Sequence, residues 1–336
     1  MKFSQPLLIA FEKCNQKGLL FFEKIWYNRG GGDCMYSALM IDIVKSRSYS
    51  SSYRFDIQNH LLESIDALNA YFSNSIAKSV EFSAGDELQG LFYYPFAAYQ
   101  YYRMLNLLVY PVQIRAGIGV GEWSIKIDGA GTTAQDGTAY HHARQAINMV
   151  KESTDRSIIL YSQQKRLHSF DHTTNTLMQA EKALSDLLKP AQRNCALLVE
   201  LISPLIHDNS NLSGNNGEHL FHLIQKAYYQ SYEYAAKRFS KGSSYPEILN
   251  RTYDELISTI FDYSNKNHDL YIQLRKQRDP AFTIIDTHRR GIPTLLAEFT
   301  GTSRQNIEKT IESGHINTMR NIAVSIMIEM DKEYHV

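Results

Sequence analysis

Met35 to Val44 is a near-continuous apolar run of ten residues, the pattern of a strand buried on both faces. A Ser-rich turn, Ser46 to Ser52, follows it. Phe55, Leu61, Leu62, Ile65, Leu68, Tyr71, Phe72 and Ile76 then recur at helical spacing and predict a long amphipathic helix. Val80 to Ser83 and Leu88 to Tyr94 read as two short strands, with Ala84-Gly85-Asp86-Glu87 between them as the turn of a hairpin. Pro95 suits the first position of the next helix, which runs to about Leu108. Val112 to Ile127 alternates and carries Gly117, Gly119 and Gly121, which predicts a strand pair with close backbone approaches. Asp136 to Lys151 reads as a helix and Ser157 to Tyr161 as a strand. The expected fold class is α+β, a sheet covered by helices on one side.

Past Ser162 the strand signals stop. His172 to Leu188, Ala191 to Leu205, Glu218 to Phe239 and Tyr245 to Tyr263 read as helices, and a last pair follows Thr294. Asp208 to Gly217 is a polar loop. Asn28-Arg29-Gly30-Gly31-Gly32-Asp33 breaks the pattern near the start. The expected organisation is an N-terminal extension over 1–33, an α+β domain over 34–165, a helical domain over 166–290 and a helical pair over 291–336.

Composition adds little to this picture but removes some classes. Lys+Arg and Asp+Glu balance at 35 each, so no global basic surplus advertises nucleic acid or an acidic membrane. No apolar run approaches the ~20 residues of a membrane helix. Cys14, Cys34 and Cys195 are scattered and odd in number, which predicts a reducing cytoplasmic setting without a disulfide framework. Tyr228, Tyr229, Tyr232, Tyr234 and Phe239 form an aromatic stripe, read as core or dimer surface.

The chemistry centres on two carboxylates. Asp42 ends an apolar strand, where a lone carboxylate is costly unless paired or ligated. Asp86 and Glu87 sit at the hairpin tip. With the first strand beside that hairpin, Asp42 and Asp86 converge at one end of the sheet. Two such carboxylates suit Mg²⁺ or Mn²⁺, which take oxygen ligands and leave room for phosphates. A pair of ions ~4 Å apart is the arrangement that activates a hydroxyl and stabilises leaving pyrophosphate. Backbone N–H groups after Asp42, with Lys45, Ser46 and Arg47, are placed to hold a triphosphate. The plainer reading makes Asp42 a strand-end cap and Asp86 a turn residue.

Asp42-Ile43, Ala84-Gly85-Asp86 and Arg115 to Glu122 resemble three landmarks of class III nucleotide cyclases. Gly137 through Arg144 resembles a fourth, the helix that carries an Arg. Gly85-Asp86-Glu87 is also similar to the signature hairpin of GGDEF diguanylate cyclases, with Ala84 at the first Gly. Taken together, DIVKSR (42–47), AGDELQGLF (84–92), IRAGIGVGE (114–122) and DGTAYHHAR (136–144) resemble the SatD family, small bacterial proteins with a cyclase-like fold.

That resemblance implies a ferredoxin-like palm, Asp42 and Asp86 as metal ligands assisted by the Ile43 carbonyl, and a homodimer acting on a nucleoside triphosphate. It implies that Arg144 stabilises phosphate charge in the transition state. Glu87 is then an extra ligand or general base, or else a solvated carboxylate; Arg115 is a phosphate contact or a structural Arg. The sequence departs from the cyclase pattern at Phe82, where the purine-reading Lys stands, and at Tyr140 or His141, where the transition-state Asn stands. The implied product is a cyclic or oligomeric nucleotide.

Near the C-terminus, Pro293 to Ile311 reads as helix, tight turn, helix, with Gly301 at the turn and Thr302 or Ser303 as cap. Ile307 and Ile311 face inward, leaving Arg304, Gln305, Asn306 and Lys309 outward. This resembles the helix-turn-helix of DNA regulators. Glu298, Glu308 and Glu312 nearby would repel phosphates. The alternative function is therefore a nucleotide-sensing regulator that binds DNA through this pair.

Overall fold

The structure is a computed structural model and describes residues 35–46, 49–153, 157–164, 168–206, 218–225 and 287–334. The 1–33 extension, Cys14, Cys34, Arg47, the helix expected over Tyr245–Tyr263 and the aromatic stripe lie outside the described residues.

Five strands form one mixed sheet in the order β2-β3-β1-β4-β5. They are β1 (Tyr36–Ile43), β2 (Ile76–Ala84), β3 (Glu87–Phe92), β4 (Ile114–Gly121) and β5 (Ile158–Tyr161). β1 is central because it is apolar on both faces, and it pairs antiparallel with β3 and β4. β5 joins β4 in parallel, through the crossover helix that parallel strands require. Three helices interleave with the strands: α1 (Ser51–Tyr71), α2 (Pro95–Leu108) and α3 (Thr138–Lys151).

Both faces of the sheet are covered, where one was expected. Leu39, Ile41 and Ile43 point to the face packed by α1 and α2. Ala38 and Met40 point to the other, against Ala139, Tyr140, Ala143 and Ile147 of α3. The second face was hidden in the sequence because its strand positions on β4 are glycines, not large apolar residues. The pair of strands expected over Val112–Ile127 is likewise one strand, β4, followed by an irregular segment bridged only between Ile125 and Asp136. Gly117 and Gly119 serve helix docking. A Cβ on Gly119 would lie 2.0 Å from the Ala143 nitrogen, so α3 rests directly on the strand backbone.

In α1, Ile57, Leu61, Ile65, Leu68 and Tyr71 are buried as the helical period demands. Phe55 and Leu62, expected on the same face, are 63% and 48% exposed. They fall on the solvent side of the stripe that Ile57 and Leu61 define.

α2 is buried along its whole length. One side meets the sheet and α1; the other meets α4 (His168–Asp186), α5 (Pro190–Ile202) and α8 (Ile316–Tyr334). Polar residues on that second side are satisfied by the helices above. Arg103 bonds Glu181 of α4 at 3.0 Å and Glu200 of α5 at 3.3 Å. Arg320 of α8 meets Glu200 at 2.7 Å. Burial pulls the Arg320 guanidinium below its usual range, and Glu200 offsets part of that.

The C-terminal pair is α6 (Ile292–Thr300) and α7 (Arg304–Ser313). Gly301 closes α6 in the left-handed region at φ 62°, and the Ser303 Oγ accepts the Asn306 N–H to cap α7. Ile307 and Ile311 are buried. No helix among the described residues is long and apolar enough to cross a membrane.

Candidate functional site

Strand register builds the site. Asp42 stands opposite Glu87 on β3 and opposite Arg115 on β4. Direct opposition puts all three side chains on the α3 face of the sheet, since facing residues share a side. α3 then supplies two more. Its residues Tyr140, Arg144, Ile147 and Lys151 fall on one helical stripe, and glycine docking on β4 fixes that stripe above β1 and β3.

The five charges interlock. Arg115 Nε and Nη2 both lie 2.6 Å from Asp42 Oδ2. Lys151 Nζ lies 3.2 Å from Asp42 Oδ1 and 3.6 Å from Glu87 Oε2. Arg144 Nη1 donates to Glu87 Oε2 at 2.6 Å, and the Ser83 Oγ donates to Glu87 Oε1 at 3.4 Å. The carboxylate side chains are only 10% and 9% exposed, whereas Arg115, Lys151 and Arg144 are 25%, 31% and 45% exposed. Buried carboxylates thus form the floor, and partly exposed cations form the rim. The cluster carries one positive charge in excess.

Asp86, expected to converge on Asp42, sits one residue before Glu87 in the hairpin turn, beside Gly85 at φ 63°. The register gives the place opposite Asp42 to Glu87. Lys45 is exposed at φ 55°, a left-handed conformation uncommon outside glycine, in the loop that leaves Asp42. Ser46 in the same loop is half-buried and its carbonyl accepts the Tyr49 N–H at 3.3 Å. Ile43, next to Asp42, turns its side chain into the opposite core.

Between Tyr140 and His141, it is Tyr140 that shares Arg144's face. It is buried, its hydroxyl has no hydrogen-bond partner among the described residues, and burial raises its ionisation far above the usual phenol range. His141 is exposed and contacts Asp136 at 3.3 Å. Lys151 was missed in the sequence. The signal was its spacing of seven from Arg144, two helical turns on the same stripe.

The carboxylates of Asp42 and Glu87 are of the donor type a hard divalent ion takes, and Arg115, Arg144 and Lys151 contact their oxygens. Asp42 and Glu87 offer two carboxylates, the number Mg²⁺ takes when it keeps waters and substrate phosphates as its other ligands. Among the described residues no group of three or more His, Cys, Asp or Glu side chains gathers, so there is no all-protein cage there.

The SatD family model matches residues 36–213, more than half of the 336-residue chain. The chain belongs to the SatD family. The matched span runs from β1 through α5 and contains every residue of the cluster in this SatD protein. No curated protein and no solved structure matches it.

In the C-terminal pair of this SatD protein, Arg304, Gln305, Asn306 and Lys309 are all exposed at the start of α7, and Arg304 pairs with Glu308 at 2.8 Å.

Proposed function

We propose that the cluster around Asp42 and Glu87 binds a nucleoside triphosphate with Mg²⁺ or Mn²⁺ and converts it to a cyclic or oligomeric nucleotide with release of pyrophosphate. The observation that carries this reading is the arrangement itself: two nearly buried carboxylates abreast on a sheet, rimmed by Arg115, Arg144 and Lys151. A purely structural ion cluster has no need of surplus positive charge at a solvent-facing rim, whereas a polyphosphate does.

The β-α-β-β-α-β order from β1 to β4 and the strand order β2-β3-β1-β4 support a ferredoxin-like palm of the kind nucleotide cyclases use. Asp42 and Asp86 would hold the ion, with Glu87, opposite Asp42 on β3, as a further carboxylate. When bound, the ion supplies charge neutralisation on the phosphates and acidifies the attacking ribose hydroxyl. Arg144 is placed to hold phosphate oxygens where negative charge grows as the pyrophosphate departs. In this reading Lys45 and Ser46, in the loop beyond Asp42, would contact the triphosphate tail. Tyr140 stands one turn before Arg144 on the same stripe of α3, packed against the sheet. A two-fold homodimer, which completes such sites in cyclases, belongs to the same reading.

The test is incubation of the full chain with each labelled nucleoside triphosphate and Mn²⁺, with products resolved by chromatography and mass. A cyclic or oligonucleotide product, lost in Asp42→Asn, supports the reading. Absence of product and of metal-dependent nucleotide binding would remove it.

A second reading has its own observation: four polar side chains exposed at the first turns of α7, after a capped tight turn. In that reading the domain senses the nucleotide and α7 contacts DNA as a helix-turn-helix. Salt-dependent DNA binding that Lys309→Ala weakens would favour it; no DNA affinity at low salt would dismiss it.

A further inference from the structure

Two carboxylates on neighbouring strands, on one face and nearly out of solvent, repel each other, and a cation lying between them relieves that repulsion. Arg115 touches Asp42 and Arg144 touches Glu87. Among the described residues Lys151 alone reaches both, at 3.2 and 3.6 Å. We propose that the Lys151 ammonium occupies the cation position of the metal-free site, so that a divalent ion enters only as Lys151 leaves. This rests on the reading of Asp42 and Glu87 as metal carboxylates.

The chemistry of the side chain suits the role. An ammonium is a compact point charge on a flexible stem, closer to a metal ion than a planar guanidinium is. Lys151 is the last residue of α3 and its side chain is 31% exposed. Rotation of its stem therefore clears the site without moving the helix. Arg115, by contrast, sits mid-sheet on β4 and bonds one oxygen of Asp42 with two nitrogens. The displaced ammonium stays at the rim beside Arg144, where a triphosphate would lie. Metal and nucleotide then bind cooperatively: the ion expels a cation that the phosphates receive. A site guarded in this way binds metal alone weakly and binds the metal–nucleotide pair more tightly.

The experiment measures Mn²⁺ binding without nucleotide, by electron paramagnetic resonance of the free ion, in the full chain. Lys151→Met keeps the stem and removes the charge; Arg144→Met removes one charge that touches Glu87 only. Lys151→Met should tighten the Mn²⁺ Kd by roughly tenfold, and Arg144→Met by less than about threefold. An affinity in Lys151→Met equal to or weaker than that of the unmodified chain overturns the proposal. So does equal tightening in both variants, which marks a general charge effect. A second measurement needs no substitution. Amine-selective labelling of Lys151, read by mass spectrometry, should rise severalfold when Mn²⁺ is added; unchanged labelling at saturating metal overturns the proposal. If Mn²⁺ binds, and Asp42→Asn abolishes binding, while Lys151→Met tightens nothing, only this inference fails. If Mn²⁺ binds neither the unmodified chain nor Lys151→Met, the metal reading itself fails.

Discussion

Gly119→Ala is the substitution through which the fold and the site are tested together. A Cβ at this position would lie 2.0 Å from the Ala143 nitrogen, 2.3 Å from the Ala139 oxygen and 2.6 Å from the His142 carbonyl carbon. All three are backbone atoms of α3, so no side chain can rotate away. Ordinary contact begins at 3.4 Å, and α3 must therefore rise from β4 by about 1.4 Å at the tightest point. Overpacking a fitted core costs ~1–3 kcal/mol and occasionally more. With three backbone clashes the expected cost is at the upper end, ~3 kcal/mol. In a chain of this size that lowers Tm by ~4 °C. The same lift carries Arg144 and Lys151 off Glu87 and Asp42, whose closest ion pairs are 2.6 and 3.2 Å. Nucleotide binding should fall with stability. The assay is thermal unfolding followed by circular dichroism, with Gly85→Ala as the reference. Gly85 has open space around it but a φ of 63°, so its variant pays only conformational strain, ~1 kcal/mol. If Gly119→Ala melts within 2 °C of the unmodified chain, or above Gly85→Ala, on the order of the scatter expected for surface changes, α3 does not sit on β4 as described.

Asp42→Asn should abolish Mn²⁺ binding and nucleotide turnover while shifting stability by only ~1 kcal/mol, because Arg115 and Lys151 reach water when released; retained metal affinity would remove Asp42 from the site. Glu200→Gln should be far more damaging, ~3–5 kcal/mol by urea unfolding, since it leaves the buried guanidiniums of Arg103 and Arg320 with one carboxylate, Glu181, between them; a loss under ~1 kcal/mol would show that this network is hydrated. Alkaline pH should destabilise the fold. Burial pushes the Cys195 thiol from 9.0 up to about 12 and holds the Tyr99, Tyr101 and Tyr102 hydroxyls well above 10.0. The unfolded chain releases these protons first, so their contribution is intact below pH 9 and is lost as pH rises towards about 12, at up to ~1.4 kcal/mol per pH unit per group. A Tm that stays level from pH 8 to 11 would contradict this burial.

Much of the local architecture was legible in the sequence. The apolar run of β1, the Gly85-Asp86 turn, Pro95 at the start of α2 and Ser303 at the cap of α7 are signals carried by neighbours in the chain, where propensity, periodicity and capping act. That Asp42 is answered by opposite charge was legible too, because it interrupts an apolar strand at a cost that demands a partner. Which residues stand directly beside it was not. A one-residue step along the hairpin changes the face a side chain points to, so that Glu87 stands directly opposite Asp42, with Asp86 in the adjoining turn, belongs to the β1–β3 register. The glycines of β4 looked like a hairpin and proved to be the seat of α3, since a missing side chain signals close approach without naming what approaches. Lys151 enters the site only because that seat fixes the rotation of its helix. Sequence determined which elements form and where a charge had to be answered; the long-range docking of strand on strand and helix on glycine decided which residues answer it.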